Sequence, residues 1–193
     1  RLRERDGKRI DYAHLVRKGS DDTVWIHGLS SGLGVRDGVA EGLKVGDHLL
    51  LEYSLDLPAL TLQARVRYHT EDFLSTDGIL RGEHSEFGIG LGAHRFWDFP
   101  AFSIGLGMVG DLGRVTQTFE TTGQADPRRS LSLGIASLAT LQIPLWEALT
   151  LEIETGPWIQ FQRSSFTNAG AIVEDTLTTS TLWWSGLKIG VRL

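Results

Sequence analysis

The chain has 193 residues, enough for one sizeable domain, with 23 Gly, no Cys and a formal net charge of -5. The absence of cysteine excludes a disulfide scaffold, and the dispersed basic residues give no reason to expect nucleic acid as a partner. No run approaches 18 apolar residues, which excludes a membrane-spanning helix, whereas a mean hydropathy of -0.08 is compatible with a membrane β-barrel because its strands are only half apolar.

The amino-terminal part of the chain lacks a clear strand pattern. Residues 1–22 are charged and are expected to form a solvated extension or linker. Because no apolar leader precedes them, we expect that a secretion signal has been removed or that the sequence is a fragment. The barrel is predicted to span residues 23–193, and its first strand, roughly 23–35, is the least regular, since His27 and Ser31 lie on its apolar side.

Residues 49–69 carry the clearest pattern in the chain, a hairpin that is apolar on one face and ionic on the other. If Pro58 and Ala59 form the loop, the numbers of paired residues sum to 117 and Glu52 lies directly opposite Arg65. A water-soluble barrel would place the leucines of this hairpin inside. A membrane barrel would place them outside, so the orientation of the two faces decides the function.

The same period-two alternation continues through the rest of the chain, and helical periodicity is not sustained anywhere with comparable strength. Residues 87–94 and 102–109 form a second predicted hairpin, and residues 131–143 and 149–161 form a third. The final strand, 187–193, needs a partner because a lone strand is unstable, and the first strand is the obvious one. The sequence therefore predicts an all-β, eight-stranded antiparallel up-and-down barrel.

The predicted connections alternate between short and long. Tight turns join strands 2 to 3, 4 to 5 and 6 to 7, whereas long polar links are predicted over residues 70–85, 115–129 and 164–181. Outer-membrane barrels have short turns on the periplasmic side and long loops outside, and a soluble barrel has no reason to sort its loops in this way.

Aromatic residues lie near the ends of the predicted strands, as in the interfacial girdles of membrane barrels. Phe99 and Trp158 are further candidates at the turn end and the opposite end. The predicted girdle consists of Trp25, Tyr53, Trp97, Phe102 and Trp146 at the short-turn end and of Tyr68, Phe87, Phe161 and Trp183 at the other end.

The polar faces of the strands carry charges that a membrane barrel would turn inward. Eight strands leave an interior barely wide enough for side chains, and buried charges must be paired. We expect Glu52 to pair with Arg65, and Glu152 or Glu154 to pair with Lys188 or Arg192. The predicted lumen network that plugs the barrel consists of Glu52, Arg65, Arg67, Glu152, Glu154, Lys188 and Arg192.

Over roughly residues 23–193, the hairpins and their loop alternation resemble the small eight-stranded outer-membrane β-barrel family, typified by the OmpA transmembrane domain and OmpX. The resemblance is architectural and rests on no local motif. It implies residence in the outer membrane of a Gram-negative-type bacterium, with both termini periplasmic and residues 1–22 as a periplasmic extension. One departure is Leu193, which stands where that family commonly ends in an aromatic residue.

Some relatives of that family modify lipids, which would require a nucleophile beside a base. His84 and Ser85 are adjacent on a strand, point to opposite faces and cannot readily form a dyad. His48 and His69 are predicted to face each other on the inner face, but a metal site needs further ligands. We therefore predict no catalytic residue, no metal and no cofactor.

Three hypotheses follow. The preferred one is a non-enzymatic outer-membrane barrel that acts as a structural anchor or as a platform for surface loops. Its partners would be outer-membrane lipids and other envelope proteins, reached through the amino-terminal extension or the external loops, with no nucleic acid. The alternatives are a soluble lipocalin-like barrel around an apolar ligand and an outer-membrane lipid-modifying enzyme, which replacement of Ser85 would inactivate.

Overall fold

A computed structural model describes residues 25–38, 46–74, 81–119, 128–168 and 171–193. Each strand pairs antiparallel with the next in the chain, and β1 pairs with β8 to close the barrel. Among the described residues no helix is long and apolar enough to cross a membrane. The strands are β1 (Ile26–Gly38), β2 (Gly46–Asp56), β3 (Thr61–Leu74), β4 (Arg81–Asp98), β5 (Ser103–Phe119), β6 (Arg128–Pro144), β7 (Leu149–Asn168) and β8 (Ala171–Arg192).

The eight-stranded up-and-down barrel predicted from the sequence is confirmed. The register predicted for the hairpin of residues 49–69 is confirmed as well. Glu52 pairs with Arg65 across β2 and β3, and the turn between these strands is closed by a hydrogen bond from the Leu57 amide to the Leu60 carbonyl at 2.9 Å. The last strand does pair with the first, and the Leu193 amide donates to the His27 carbonyl at 2.8 Å. The predicted extension, residues 1–22, lies outside the described residues.

The strands are longer than predicted at the end opposite the termini. The link predicted over 164–181 is wrong in its extent, because β7 continues to Asn168 and β8 begins at Ala171. The links predicted over 70–85 and 115–129 are shortened in the same way. Backbone pairing continues there although the sequence no longer alternates between apolar and polar residues, so the pattern that marks a half-apolar strand disappears before the strand ends. We call the end of the barrel opposite the termini the loop end. The other end, which has the turns 57–60, 99–102 and 145–148, is the turn end.

The two faces of the barrel wall have opposite polarity to those of a soluble barrel. Leu91 and Leu112, in the middle of β4 and β5, are exposed on the outer face by 73% and 60%. Glu52, Arg65 and Lys188 are buried inside. The apolar side chains therefore form a continuous outer belt, and the charges fill the lumen.

Two large aromatic side chains also point inward, where glycines make room for them. Trp158 and Trp184 are fully buried, with ring centroids 5.6 Å apart. A Cβ on Gly134 would lie 2.5 Å from Trp158 Nε1, and one on Gly34 would overlap the Trp184 ring. Small residues opposite large ones are how a narrow barrel fills its interior.

Gly134 and Gly110 provide a matched test of this packing, because both lie in neighbouring mid-barrel strands but face opposite sides. We expect Gly134→Ala to lower the free energy of unfolding by about 1–3 kcal/mol, since the added methyl group overpacks the Trp158 site. Gly110→Ala, whose Cβ would meet nothing within 4 Å, should change it by about 1 kcal/mol or less. Urea unfolding in detergent micelles measures both, and equal effects would contradict the inward packing of Trp158.

Candidate functional site in the barrel interior

Lys188 is the centre of the interior charge network. Its Nζ lies 2.9 Å from Glu52 Oε1 and 3.1 Å from both Glu152 Oε2 and Glu154 Oε2. The lysine side chain is 0% exposed, and Glu154 is equally buried. One ammonium group thus lies within ion-pair distance of one carboxylate on β2 and two on β7, and it donates a hydrogen bond to Glu52.

Arg65 does not take the partner predicted for it. Although it lies opposite Glu52 in register, its Nη1 contacts Glu154 Oε1 at 3.3 Å, and Glu52 accepts a hydrogen bond from Lys188 instead. Side chains that face each other on neighbouring strands both point into the lumen, and the lumen is narrow enough for their ends to reach other strands. The predicted register is correct, whereas the predicted Glu52–Arg65 ion pair is not formed.

A second charge cluster surrounds Arg67. Its Nη2 lies 2.6 Å from Glu86 Oε1 and 2.6 Å from Asp111 Oδ1, and its Nε donates to the same Asp111 oxygen at 3.0 Å. Arg36 donates to the other oxygen of Glu86. Gly88, whose Cβ would lie 2.7 Å from Arg67 Nε, leaves room for the guanidinium group.

Sequence reasoning missed Arg36, Glu86 and Asp111 in this cluster. Each lies one or two residues beyond a stretch of recognised alternation, and on the same face as the inward glycines of its strand. Continuing the period of two from Gly34 reaches Arg36, and continuing it from Gly88 reaches Glu86. The alternation thus extends to these residues, but their positions were assigned to strand ends and loops.

Trp158 and Trp184 contact both charge clusters. The Arg65 guanidinium lies 5.3 Å from the Trp158 ring centroid and 5.4 Å from that of Trp184, and Arg67 lies 5.3 Å from Trp158. Trp184 Nε1 also donates to Glu154 Oε1 at 2.6 Å. The interpretation of Trp158 as an interfacial aromatic is wrong, because its even position in β7 places it inside with Glu154 and Gln160.

Arg192 lies apart from the other charges, at the turn end of the lumen. Its Nη2 donates to Gln142 Oε1 at 2.5 Å and lies 3.9 Å from Asp56 Oδ2. Gln142 in turn donates to Glu152 at 2.9 Å, so Arg192 reaches the predicted carboxylate only through an amide. A cavity of about 20 Å³, roughly the space needed by one water molecule, lies beside these groups.

Three histidines of the inner face lie together at the loop end, whereas a fourth, His94, is buried near the turn end. His48 and His69 face each other as predicted, with ring centroids 4.7 Å apart, and His84 lies 6.0 Å from His69. The described residues contain no group of three or more ligands arranged to hold a metal ion. His84 and Ser85 both lie within β4, not in a loop, and adjacent strand residues face opposite sides.

The predicted girdle residues lie on the outside of the barrel or in its turns. Phe102 stacks on Phe99 at 5.0 Å in the turn between β4 and β5, and it and Phe161 are half-buried. Their arrangement as two belts stays a prediction. The exposed members are Trp25, Tyr53, Tyr68, Phe87, Trp97, Trp146 and Trp183.

Removal of Lys188 tests the network. We expect Lys188→Met to lower the free energy of unfolding by about 3–5 kcal/mol, because it leaves three carboxylates together without their buried cation. Arg192→Met, at the part-exposed rim, should cost only about 0–1 kcal/mol. Urea unfolding of the two variants measures the difference, and adding Glu52→Gln to Lys188→Met should recover part of the loss. A cost for Lys188→Met no greater than that for Arg192→Met would refute the central role of the ammonium group.

Comparison with known proteins shows the fold of this chain. No protein-family model and no curated protein matches the sequence. Among solved structures, Ail of Yersinia pestis in complex with the heparin analogue sucrose octasulfate is 13% identical, with a TM-score of 0.55, over 88% of this chain and 99% of that chain. Neisserial surface protein A is 13% identical, with a TM-score of 0.52, over 90% and 99%. A major outer membrane protein of Thermus thermophilus is 12% identical, with a TM-score of 0.52, over 86% and 99%. The chain therefore has the fold of the small eight-stranded outer-membrane β-barrels.

Proposed function

We propose that the protein is a non-enzymatic barrel of a Gram-negative-type outer membrane that anchors and displays its surface loops. Its lumen is closed by ion pairs, and both termini and the charged segment 1–22 are periplasmic. Its immediate partners are the surrounding lipids. Other envelope proteins or external ligands are contacted through the loops or through the amino-terminal segment.

The inverted polarity of the wall is the observation that supports this function. Exposed Leu, Ile, Val and Met side chains cover the outer face of the strands, while charged groups of the same strands are buried. In water such an outer belt would associate, because it far exceeds the scattered apolar residues of a normal soluble surface. In a bilayer the same belt is solvated by acyl chains, and the closed barrel leaves no strand edge among the hydrocarbon chains.

The interior supports a closed barrel that neither conducts nor stores a ligand. Both charge clusters and the two tryptophans occupy the lumen, which leaves no apolar cavity among the described residues for a lipocalin-like ligand. A lipid-modifying site is not favoured either, since the inward His84 and the outward Ser85 cannot act on one substrate. Ail, which has the same fold, has been solved with a heparin analogue, and this precedent supports a role in contacts outside the cell.

Membrane residence can be tested on the outer belt. Met108 is 59% exposed in the middle of β5, and Thr118 is exposed on the same face of that strand near its loop end. We expect Met108→Arg to lower the free energy of unfolding in lipid vesicles by about 2–4 kcal/mol, and Thr118→Arg by about 0–1 kcal/mol, because the cost of a charge depends on depth in the bilayer. Equally small losses of unfolding free energy in the two variants, together with a stable monomer in plain buffer, would contradict the membrane assignment.

The closed lumen can be tested by conductance. In planar bilayers the unmodified protein should give no large steady current. Trp184→Ala should open a current, because it removes the ring between Glu154 and His48, whereas Trp183→Ala, one residue away on the outer face, should not. A large steady current through the unmodified protein would contradict the closed lumen, and a silent Trp184→Ala variant would show that Trp184 is not part of the plug.

A further inference from the structure

The apolar belt contains a short row of hydroxyl side chains in the middle of β6, β7 and β8. Ser137 is exposed on the outer face of β6, midway between the belt residues Leu131 and Ile143. Thr155 on β7 and Ser185 on β8 point outward as well. We call Ser137, Thr155 and Ser185 the hydroxyl row. The belt around it carries mostly Leu, Ile and Met, so this sector of the wall is more polar and lower in relief than its surroundings.

The strand register places the hydroxyl row at one depth. The line of paired residues that starts at Gly28 passes once around the barrel and returns to β1 at Gly38, ten residues nearer the loop end. Each step to the next strand therefore climbs by slightly more than one residue toward the loop end. When this climb is taken into account, the three hydroxyl groups lie within about one residue of the same depth.

The backbone pairing between β6 and β7 is interrupted beside this row. Ala136 pairs with Trp158 and Ala139 pairs with Thr155, but the two residues of each strand that lie between these pairs are not paired with one another. One of them is Pro157, which has no N–H group to donate. The wall thus lacks part of its ladder at mid-depth, where a bilayer offers no water in its place.

Two of the three hydroxyl groups are hydrogen-bonded within the barrel, and the third is not. Thr155 Oγ1 accepts from Trp183 Nε1 at 2.9 Å, donates to the Trp184 carbonyl at 3.0 Å and lies 3.1 Å from Ser185 Oγ. The Ser137 hydroxyl makes no hydrogen bond within the described part of the chain. An unpaired hydroxyl group is unfavourable in hydrocarbon, because no acyl chain can accept its proton.

A second copy of the chain can supply the missing partner. Two copies that share one orientation in a membrane are related by a two-fold axis along the membrane normal, which keeps every residue at its own depth. An axis through the β6–β7 seam brings Ser137 of each copy opposite the partner subunit's Thr155. A hydroxyl group both donates and accepts, so this contact is self-complementary. Ala139 and Pro157, beside the row, let the two walls approach closely, as small side chains do at interfaces within membranes.

We propose that the hydroxyl row is the centre of a two-fold homodimer interface within the membrane. The rest of the belt is satisfied by acyl chains, whereas this sector gains hydrogen bonds that acyl chains cannot provide. The dimer rests on the proposed function, since it requires the barrel to span a bilayer. It goes beyond that function by assigning one side of the wall to a second copy of the chain.

Association can be measured with full chains that carry a donor or an acceptor fluorophore at the amino terminus, in phosphatidylcholine vesicles. Energy transfer that falls on dilution with lipid gives the dissociation constant of the dimer. We expect Ser137→Leu to weaken the dimer at least about tenfold, because it removes the hydroxyl group and holds the two walls apart. Ser31→Leu replaces another exposed serine of the belt, on β1, which is paired on both sides, and should leave the dissociation constant unchanged.

The absence of cysteine from the chain allows the geometry of the dimer to be tested directly. When S137C and T155C chains are mixed in vesicles and oxidised, a disulfide should join the two variants, because the two-fold axis brings these positions together. A mixture of S31C and T155C chains should form no such disulfide.

Each contrary outcome has a separate meaning. An unmodified protein that stays monomeric at every lipid ratio overturns the dimer and shows that lipid or a different protein covers the row. A dimer that Ser137→Leu leaves intact, or that both leucine variants weaken equally, overturns the position of the interface. If Ser137→Leu fails to insert, the cross-linking of S137C with T155C decides. Failure of the unmodified protein to float with vesicles contradicts the proposed function itself, before any association is measured.

Discussion

The pairing of buried charge inside a closed barrel is the constraint that governs how this chain folds. Eight strands leave no room for bulk water, so each inward charge needs a partner within the protein. Lys188 meets that demand for Glu52, Glu152 and Glu154 at once. These contacts connect β2, β7 and β8 across the line where the sheet closes. The contact with Glu52 stabilises the closed arrangement specifically, because a sheet opened between β1 and β8 would separate Glu52 from the cation, whereas Glu152 and Glu154 lie on the neighbouring β7.

The same constraint explains the unusual mixture of very large and very small inward side chains. Arg67 fits because Gly88 leaves space beside it, and Trp158 fits because Gly134 does. The guanidinium group of Arg65, which contacts Glu154, lies over the rings of both tryptophans. The interior is therefore filled by ion pairs and cation–π contacts where a soluble domain would use aliphatic packing.

The charged and aromatic side chains of the interior close the barrel, so few of them are left to bind another molecule. Contacts with other molecules are therefore sought on the outside. The outer belt is apolar except for a few hydroxyl groups, whereas the rim at the loop end carries exposed charges of both signs, such as Asp37, Asp72 and Arg114. These charges have no role in closing the lumen, because their side chains point away from it. Selective contacts with molecules outside the membrane are thus expected at the rim and in the loops, with the barrel as their rigid support.

The residue pattern alone is enough to predict the class, the strand order and much of the register. Wherever one face of a strand is apolar, apolar and polar residues alternate along the sequence with a period of two. The pairing of Glu52 opposite Arg65 follows from the hairpin turn alone. The alternation failed as a guide near the loop end, so the ends of β7 and β8 and the inward position of Glu86 were missed. The pairing of Lys188 with Glu152 and Glu154 was also predicted, whereas its contact with Glu52, 136 residues away, is found only in the closed barrel. The physical reason is that side chains on opposite sides of the lumen pair according to their distance across the barrel. That distance depends on strand tilt and on closure, and the local spacing of residues does not encode it.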